Sequence, residues 1–243
     1  MEMCLSHNMG FSGYTESYDL IAEEYYSDRH ITSRNFDQAS KVYFKQKPIT
    51  VSGLGLEIGA GNGRTDEYIE CNTQKLILSD ISSKMLNYSS YKSALARIRC
   101  DALNLPFTDE SLNYVTAFLY DPFNIPYFYN EISRVLKLDG LFIGTLPHYI
   151  WGQTLRNVLK VPGDKTIFIK NDGSEVVIDS YLMSKDEIVS NANNAGLEVL
   201  RLENIYLPKQ TTKISPHIVI PSRSLNISAY SLPIVSAIML RKK

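Results

Sequence analysis

The stretch Leu56-Glu57-Ile58-Gly59-Ala60-Gly61-Asn62-Gly63 leaves an apolar run and enters a helical pattern, so the chain has to pass there from a strand through a glycine-rich bend into a helix. Glycines carry no side chain, so backbone N–H groups at the bend can approach a ligand closely. The exposed amides and dipole of the following helix favour an anionic group on that ligand. The bend is thus a candidate site for a nucleoside-containing cofactor. A purely structural turn at a strand end has the same look, so the neighbouring segments decide between the two readings.

A dinucleotide fingerprint requires G-x-G-x-x-G with an acid about 20 residues further on. Here the third glycine, Gly63, comes one residue early and Arg64 takes its place in the pattern, while Glu57 stands just before the first glycine. An acid beside the bend repels a pyrophosphate and suits the ammonium or sulfonium of S-adenosylmethionine. Lys75-Leu76-Ile77-Leu78-Ser79-Asp80 reads as a second strand ending in an acid, placed to accept hydrogen bonds from ribose hydroxyls; a helix cap for the segment starting at Ser82 or Ser83 is the structural alternative. Arg97-Ile98-Arg99-Cys100-Asp101-Ala102 reads as a third strand, whose acid could take the adenine amine or be an ordinary turn aspartate. Three strand ends in register are what a cofactor lying across a parallel sheet needs.

The segment from Leu54 to Leu146 resembles the class I S-adenosylmethionine-dependent methyltransferases, in particular those acting on small molecules. The matching pieces are LEIGAGNG at 56–63, SDISSKML at 79–86, CDALNLPFTDESLNYV at 100–115 and EISRVLKLDGLFIGTLP at 131–147. Tyr18-Asp19-Leu20-Ile21-Ala22-Glu23-Glu24-Tyr25 is similar to the family's N-terminal segment. The resemblance implies a Rossmann-like, doubly wound, mostly parallel seven-stranded α/β sheet with an antiparallel C-terminal hairpin. It implies S-adenosylmethionine as cofactor, with Glu57, Gly59, Ala60, Gly61 and Gly63 along its methionine portion and Asp80 at the ribose. Ile81 and Met85 would pack on adenine, and Asp101 with the Ala102 amide would read its edge. Phe118 would offer its backbone to the methionine ammonium, and Tyr25 would close over the cofactor. Asn113 and Leu138-Asp139-Gly140 depart from the family pattern outside the cofactor pocket.

The chain has 243 residues, within range of one large α/β domain. The expected layout is a helical cap over 1–45, a cofactor-binding core over 53–146, a lid insertion over 148–183, and a C-terminal helix with a β-hairpin over 184–243. In the lid, Asn171-Asp172-Gly173 between two apolar runs signals a hairpin. Ser184 with Glu187 is a capping-box pattern, and Gly196 is a stop signal. A helix is expected from Asn124 to Lys137, with two last strands near Leu197 to Tyr206 and Pro233 to Leu240 joined by a long Pro- and Ser-containing loop.

Twenty-five basic and 26 acidic residues leave a net charge of −1, which argues against a strong sequence-independent hold on nucleic acid. Cys4, Cys71 and Cys100 are odd in number and far apart, indicating neither a disulfide framework nor a zinc site. His7, His30 and His217 have no ligand spacing, and no metal is expected. Met1 to Ser12 lack the basic and apolar regions of a signal peptide and no run spans a membrane, so a cytoplasmic location is expected.

Methyl transfer is an in-line displacement, so the protein mainly aligns an acceptor and excludes water. Asp121, after the fourth strand in Tyr120-Asp121-Pro122-Phe123-Asn124, is either a proton acceptor or a turn residue fixed before proline. His148, after the fifth strand, is either a general base or a structural histidine. Tyr26, in the segment reaching His30, would border the acceptor, together with Tyr149, Trp151 and Arg156 of the lid. The expected activity is methyl transfer to oxygen or nitrogen of a small molecule. A protein or RNA methyltransferase, a nicotinamide-dependent oxidoreductase on a similar sheet and a non-catalytic binder are the alternatives.

Overall fold

The structure is a computed structural model that describes residues 12–27, 29–72, 75–88 and 94–243. Cys4, His7 and the reading of the leader segment lie outside the described residues, as does Asp28. In chain order the strands are β1 (Thr50–Val51), β2 (Gly55–Ile58), β3 (Glu70–Cys71), β4 (Leu76–Asp80), β5 (Ala96–Arg99), β6 (Leu112–Phe118), β7 (Leu136–Pro147), β8 (Lys165–Ile169), β9 (Glu175–Asp179), β10 (Leu197–Tyr206) and β11 (Pro233–Lys242). The helices are α1 (Ser12–Tyr25), α2 (Ile31–Gln46), α3 (Thr65–Tyr68), α4 (Ser83–Asn87), α5 (Pro126–Val135), α6 (Tyr149–Leu159), α7 (Lys185–Asn194) and α8 (Pro216–Ser224).

Seven strands form the central sheet in the order β10-β11-β7-β6-β2-β4-β5. The pairs from β7 to β5 are parallel, while β11 runs antiparallel to both β7 and β10. This is a Rossmann-like α/β fold, doubly wound, with an antiparallel C-terminal pair. Strands β2 and β4 are buried along their whole length, as continuous apolar runs under helices on both faces should be. Alternation assigns their side chains. Leu76 and Leu78 pack with Phe36, Phe44 and Tyr68 on one side, whereas Ile77 joins Val115, Phe128 and Ile132 on the other. The edge strand β5 exposes Arg97 and Arg99, charges that oppose pairing with a second sheet.

Local signals account for most element ends. Ser184 and Glu187 form a reciprocal capping box at α7, and Gly196 follows that helix at φ +75°. Hairpin β8–β9 pairs Phe168 with Val176, and Gly173 takes φ +82° in its turn. Two expectations change. The helix expected from Asn124 begins at Pro126 and yields to β7 at Leu136, because proline suits the first helical turn. The expected loop between β10 and β11 contains α8: the Ser215 hydroxyl accepts the His217 N–H and Pro216 opens the helix. The same Ser and Pro that read as loop residues are here a cap and a first-turn residue.

Candidate active site

The glycine bend after β2 is held by the strand beside it. The Gly61 N–H donates to Asp80 Oδ2 at 3.0 Å, and the Ser82 N–H donates to Asp80 Oδ1 at 2.9 Å. Gly59 and Gly61 sit at φ +60° and +48°, a region that opposes side chains, and a β-carbon on Gly61 would overlap the Tyr26 hydroxyl. The cap of α4 is Ser82, which accepts the Met85 N–H at 3.0 Å, leaving Asp80 at a cavity wall. Burial raises the Asp80 carboxyl to about 6 against the backbone hydrogen bonds that lower it.

That cavity lies across the ends of three parallel strands. Its walls include Gly59, Gly61, Ile81, Met85, Asp101, Ala102 and Phe118, and Tyr25 with Tyr26 cover it from the helical side. Asp101 Oδ1 accepts the Leu103 N–H at 2.9 Å, which orients the carboxylate at the cavity. An acid for two ribose hydroxyls, apolar flanks for a purine and a bend without side chains make a donor and acceptor set that fits an adenosyl group.

Several expected site residues stand elsewhere. Glu57, expected along the methionine portion, is 1% exposed and accepts the N–H groups of Arg64 at 2.7 Å and Thr65 at 3.1 Å. The unpaired amides at the start of α3 hold this carboxylate below the bend rather than at the cavity. Burial raises it to about 7. Gly63 and Ala60 close the bend on themselves through a 2.7 Å backbone bond, and neither lines the cofactor cavity. His148 caps α6: its Nδ1 accepts the Ile150 N–H at 3.2 Å and its Nε2 donates to Asn204 Oδ1 at 3.2 Å. Both ring nitrogens are engaged, and the ring lines neither this cavity nor the one beside it. Tyr26 accepts the Asn62 N–H at 2.9 Å, which sets it over the bend, and burial raises its hydroxyl above the ordinary range.

A second cavity of about 440 Å³ adjoins the first, the two sharing Tyr18, Tyr25 and Leu119. Asp121 and Arg156 stand in its wall, both buried. The Ser180 hydroxyl donates to Asp121 Oδ2, and the Arg156 guanidinium donates to Ser180 O at 2.7 Å, to Ser180 Oγ at 2.8 Å and to Gly163 O. Burial raises the Asp121 carboxyl to about 6, against the lowering by Ser180 and Arg156. Leu119, at φ +56°, holds strained backbone where the cavities meet. Sequence reading missed Leu119, Ser180 and Tyr181: a leucine carries no sign of a left-handed backbone, and the other two reach the site only through the folding of the hairpin. Among the described residues no cluster of His, Cys, Asp and Glu could hold a metal ion, and no helix is long and apolar enough to cross a membrane.

Residues 56–144 match the family model described as methyltransferase domain. An uncharacterized protein of Methanocaldococcus jannaschii is 25% identical over 207 residues, 80% of this chain and 80% of its own length. The mitochondrial arginine-hydroxylase NDUFAF5 of Danio rerio is 28% identical over 145 residues, 58% of this chain and 40% of that protein. A chain from the complex between the Haloferax volcanii Trm112 methyltransferase activator and the putative methyltransferase superimposes with a TM-score of 0.68 at 17% identity, covering 94% of this chain and 96% of that one. With the strand-end acids around one cavity and this match across the bend, residues 56–144 carry a methyltransferase domain on a Rossmann-like fold, with S-adenosylmethionine as its cofactor.

Proposed function

We propose that the acceptor is a small molecule, held in the second cavity and methylated on oxygen or nitrogen. The observation that carries this reading is the junction itself: a cavity of about 440 Å³, the size of a small-ligand pocket, meets the cofactor cavity at Tyr18, Tyr25 and Leu119, with a buried carboxylate in its wall. Asp80 would hold the ribose, Ile81 and Met85 the adenine faces, Asp101 and Ala102 the adenine edge, and Phe118 the methionine ammonium. Bound there, S-adenosylmethionine supplies a methyl group on a positively charged sulfur, which keeps the bonding electron pair as the acceptor takes the carbon.

The protein's own work is alignment, exclusion of water and removal of one proton. Tyr25 and Tyr18 would hold the acceptor against the cofactor side, and the hairpin with α6 would act as the lid over it. Asp121 would take the proton that the acceptor releases. Balanced charge supports an acceptor other than nucleic acid, and a cytoplasmic site of action is part of this reading.

The test is to incubate the purified protein with methyl-labelled cofactor and a fractionated cell extract. Label in the low-mass fraction is the expected result, and label confined to protein or RNA overturns it. The likeness to the Haloferax chain favours a second reading, in which a macromolecule is methylated with the help of a small activating protein. Label that enters protein or RNA only when Trm112 is present would support that reading.

A further inference from the structure

The walls of the second cavity go further than its size. Hairpin β8–β9 uses one face to pack Phe168, Val176 and Ile178 against α1. Its other face carries Ile167 and Ile169, 37% and 54% exposed, and both border the cavity. A hairpin face open to water ordinarily alternates to polar residues. Leu159 of α6, 43% exposed, borders the same space, with Leu155 and Trp151 deeper in. An apolar wall therefore runs from open, solvent-touched residues to the aromatic rings beside the cofactor cavity.

The two cationic side chains in the wall are committed. Lys165 is paired with Asp179, and Arg156 is bonded to Ser180 and Gly163. Asp121 and His30 line the same space. Asp121 stands between Leu119 and Pro122, which line the cofactor cavity, and the buried His30 Nε2 has no hydrogen-bond partner among the described residues. The His30 ring lies 4.1 Å from that of Phe168, centroid to centroid.

Resting on the small-molecule reading above, we propose that the acceptor is an amphiphile with one hydroxyl end beside Asp121 and a hydrocarbon body along Trp151, Leu155, Leu159, Ile167 and Ile169. A hydroxyl fits the carboxylate there because it brings both a lone pair for the methyl carbon and a proton for Asp121. The oxygen–methyl bond forms as the carbon–sulfur bond breaks, the electron pair stays on sulfur, and the hydroxyl proton passes to the carboxylate. The aromatic rings of Tyr18, Tyr25 and Phe168 suit a phenol at that end.

Trp151 is the single tryptophan, so its emission reports occupancy without turnover. The probes are para-alkylphenols from methyl to hexyl, titrated into cofactor-loaded protein, with para-hydroxyphenylacetate as the polar counterpart. The expected result is a saturable change in emission and affinity that rises about fourfold per added methylene. Ile167→Lys with Ile169→Lys, both exposed positions, should flatten that rise while leaving cofactor affinity by calorimetry unchanged. Affinity independent of chain length, or para-hydroxyphenylacetate binding as tightly as the hexyl compound, overturns the proposal. Chain-length-dependent binding with no methyl ether in the product mass spectrum keeps the cavity's occupant but overturns the transfer reading beneath it.

Discussion

The Ser180 hydroxyl donates a hydrogen bond to Asp121 Oδ2, joining the end of the hairpin to the turn after the central strand β6. The Tyr181 N–H adds a 2.8 Å bond to the Asp121 carbonyl oxygen. The two elements that would enclose an acceptor thus meet at Asp121, the carboxylate proposed to take its proton.

Burial raises Asp121 to about 6, so the neutral form is favoured in the folded chain relative to the unfolded one. As a base the residue works only when ionised, so turnover should rise with pH through about 6. Stability runs the other way. The penalty for holding the charge inside is absent below the ordinary carboxylate range and complete above about 6, on the order of 1–3 kcal/mol. Asp121→Asn is expected to lower kcat by about 100-fold or more and to raise the melting temperature at about pH 8, with the gain vanishing near pH 4. Melting curves at the two pH values check the sign.

Asp80 accepts the Gly61 and Ser82 amides and also faces the cavity, so Asp80→Asn should weaken cofactor binding about 10- to 100-fold, the range for a lost charged hydrogen bond. Gly61→Val should weaken it at least as much, since it adds a side chain at φ +48° under Tyr26. Calorimetry with S-adenosylmethionine measures both. Unchanged affinity in either variant would remove that residue from the cofactor site.

Gly55 on β2 pairs with Tyr114 on β6, and a β-carbon at Gly55 would overlap that tyrosine's ring. Tyr114 is fully buried and cannot swing away. Gly55→Ala should therefore destabilise the chain by about 1–3 kcal/mol through overpacking, read as a lower midpoint in urea with unchanged slope.

His148 caps α6 and bonds Asn204 on β10, and burial lowers its pKa. His148→Ala is expected to reduce stability by about 1 kcal/mol, in line with a lost helix cap, while kcat stays within about twofold. A large loss of kcat with intact melting would return His148 to the chemistry.

Sheet, bend and capped helices were legible from residue order because each rests on local rules. Apolar runs make buried parallel strands, glycines permit left-handed backbone, and Ser184 with Glu187 caps α7 through neighbours three residues apart. Asp80, Asp101, Ile81 and Phe118 fall on one cavity because each lies at or just past the carboxyl end of a parallel strand, and Met85 joins them from the first turn of α4. The place of Glu57 is one that local pattern cannot show. An acid beside a glycine bend can face the ligand or the amides of the next helix, and only the three-dimensional path of α3 brings the Arg64 and Thr65 N–H groups onto it.

By itself, then, the amino-acid order determined an α/β chain whose strand ends carry acids around a side-chain-free bend. Tertiary structure alone decided what lies next to them. The hairpin and α6 come from residues far along the chain, and their folding back sets Ser180 on Asp121 and turns Ile167 and Ile169 toward the second cavity, while β10 brings Asn204 to Nε2 of His148. Contacts between distant segments depend on how whole elements pack, and periodicity within one segment carries no record of them.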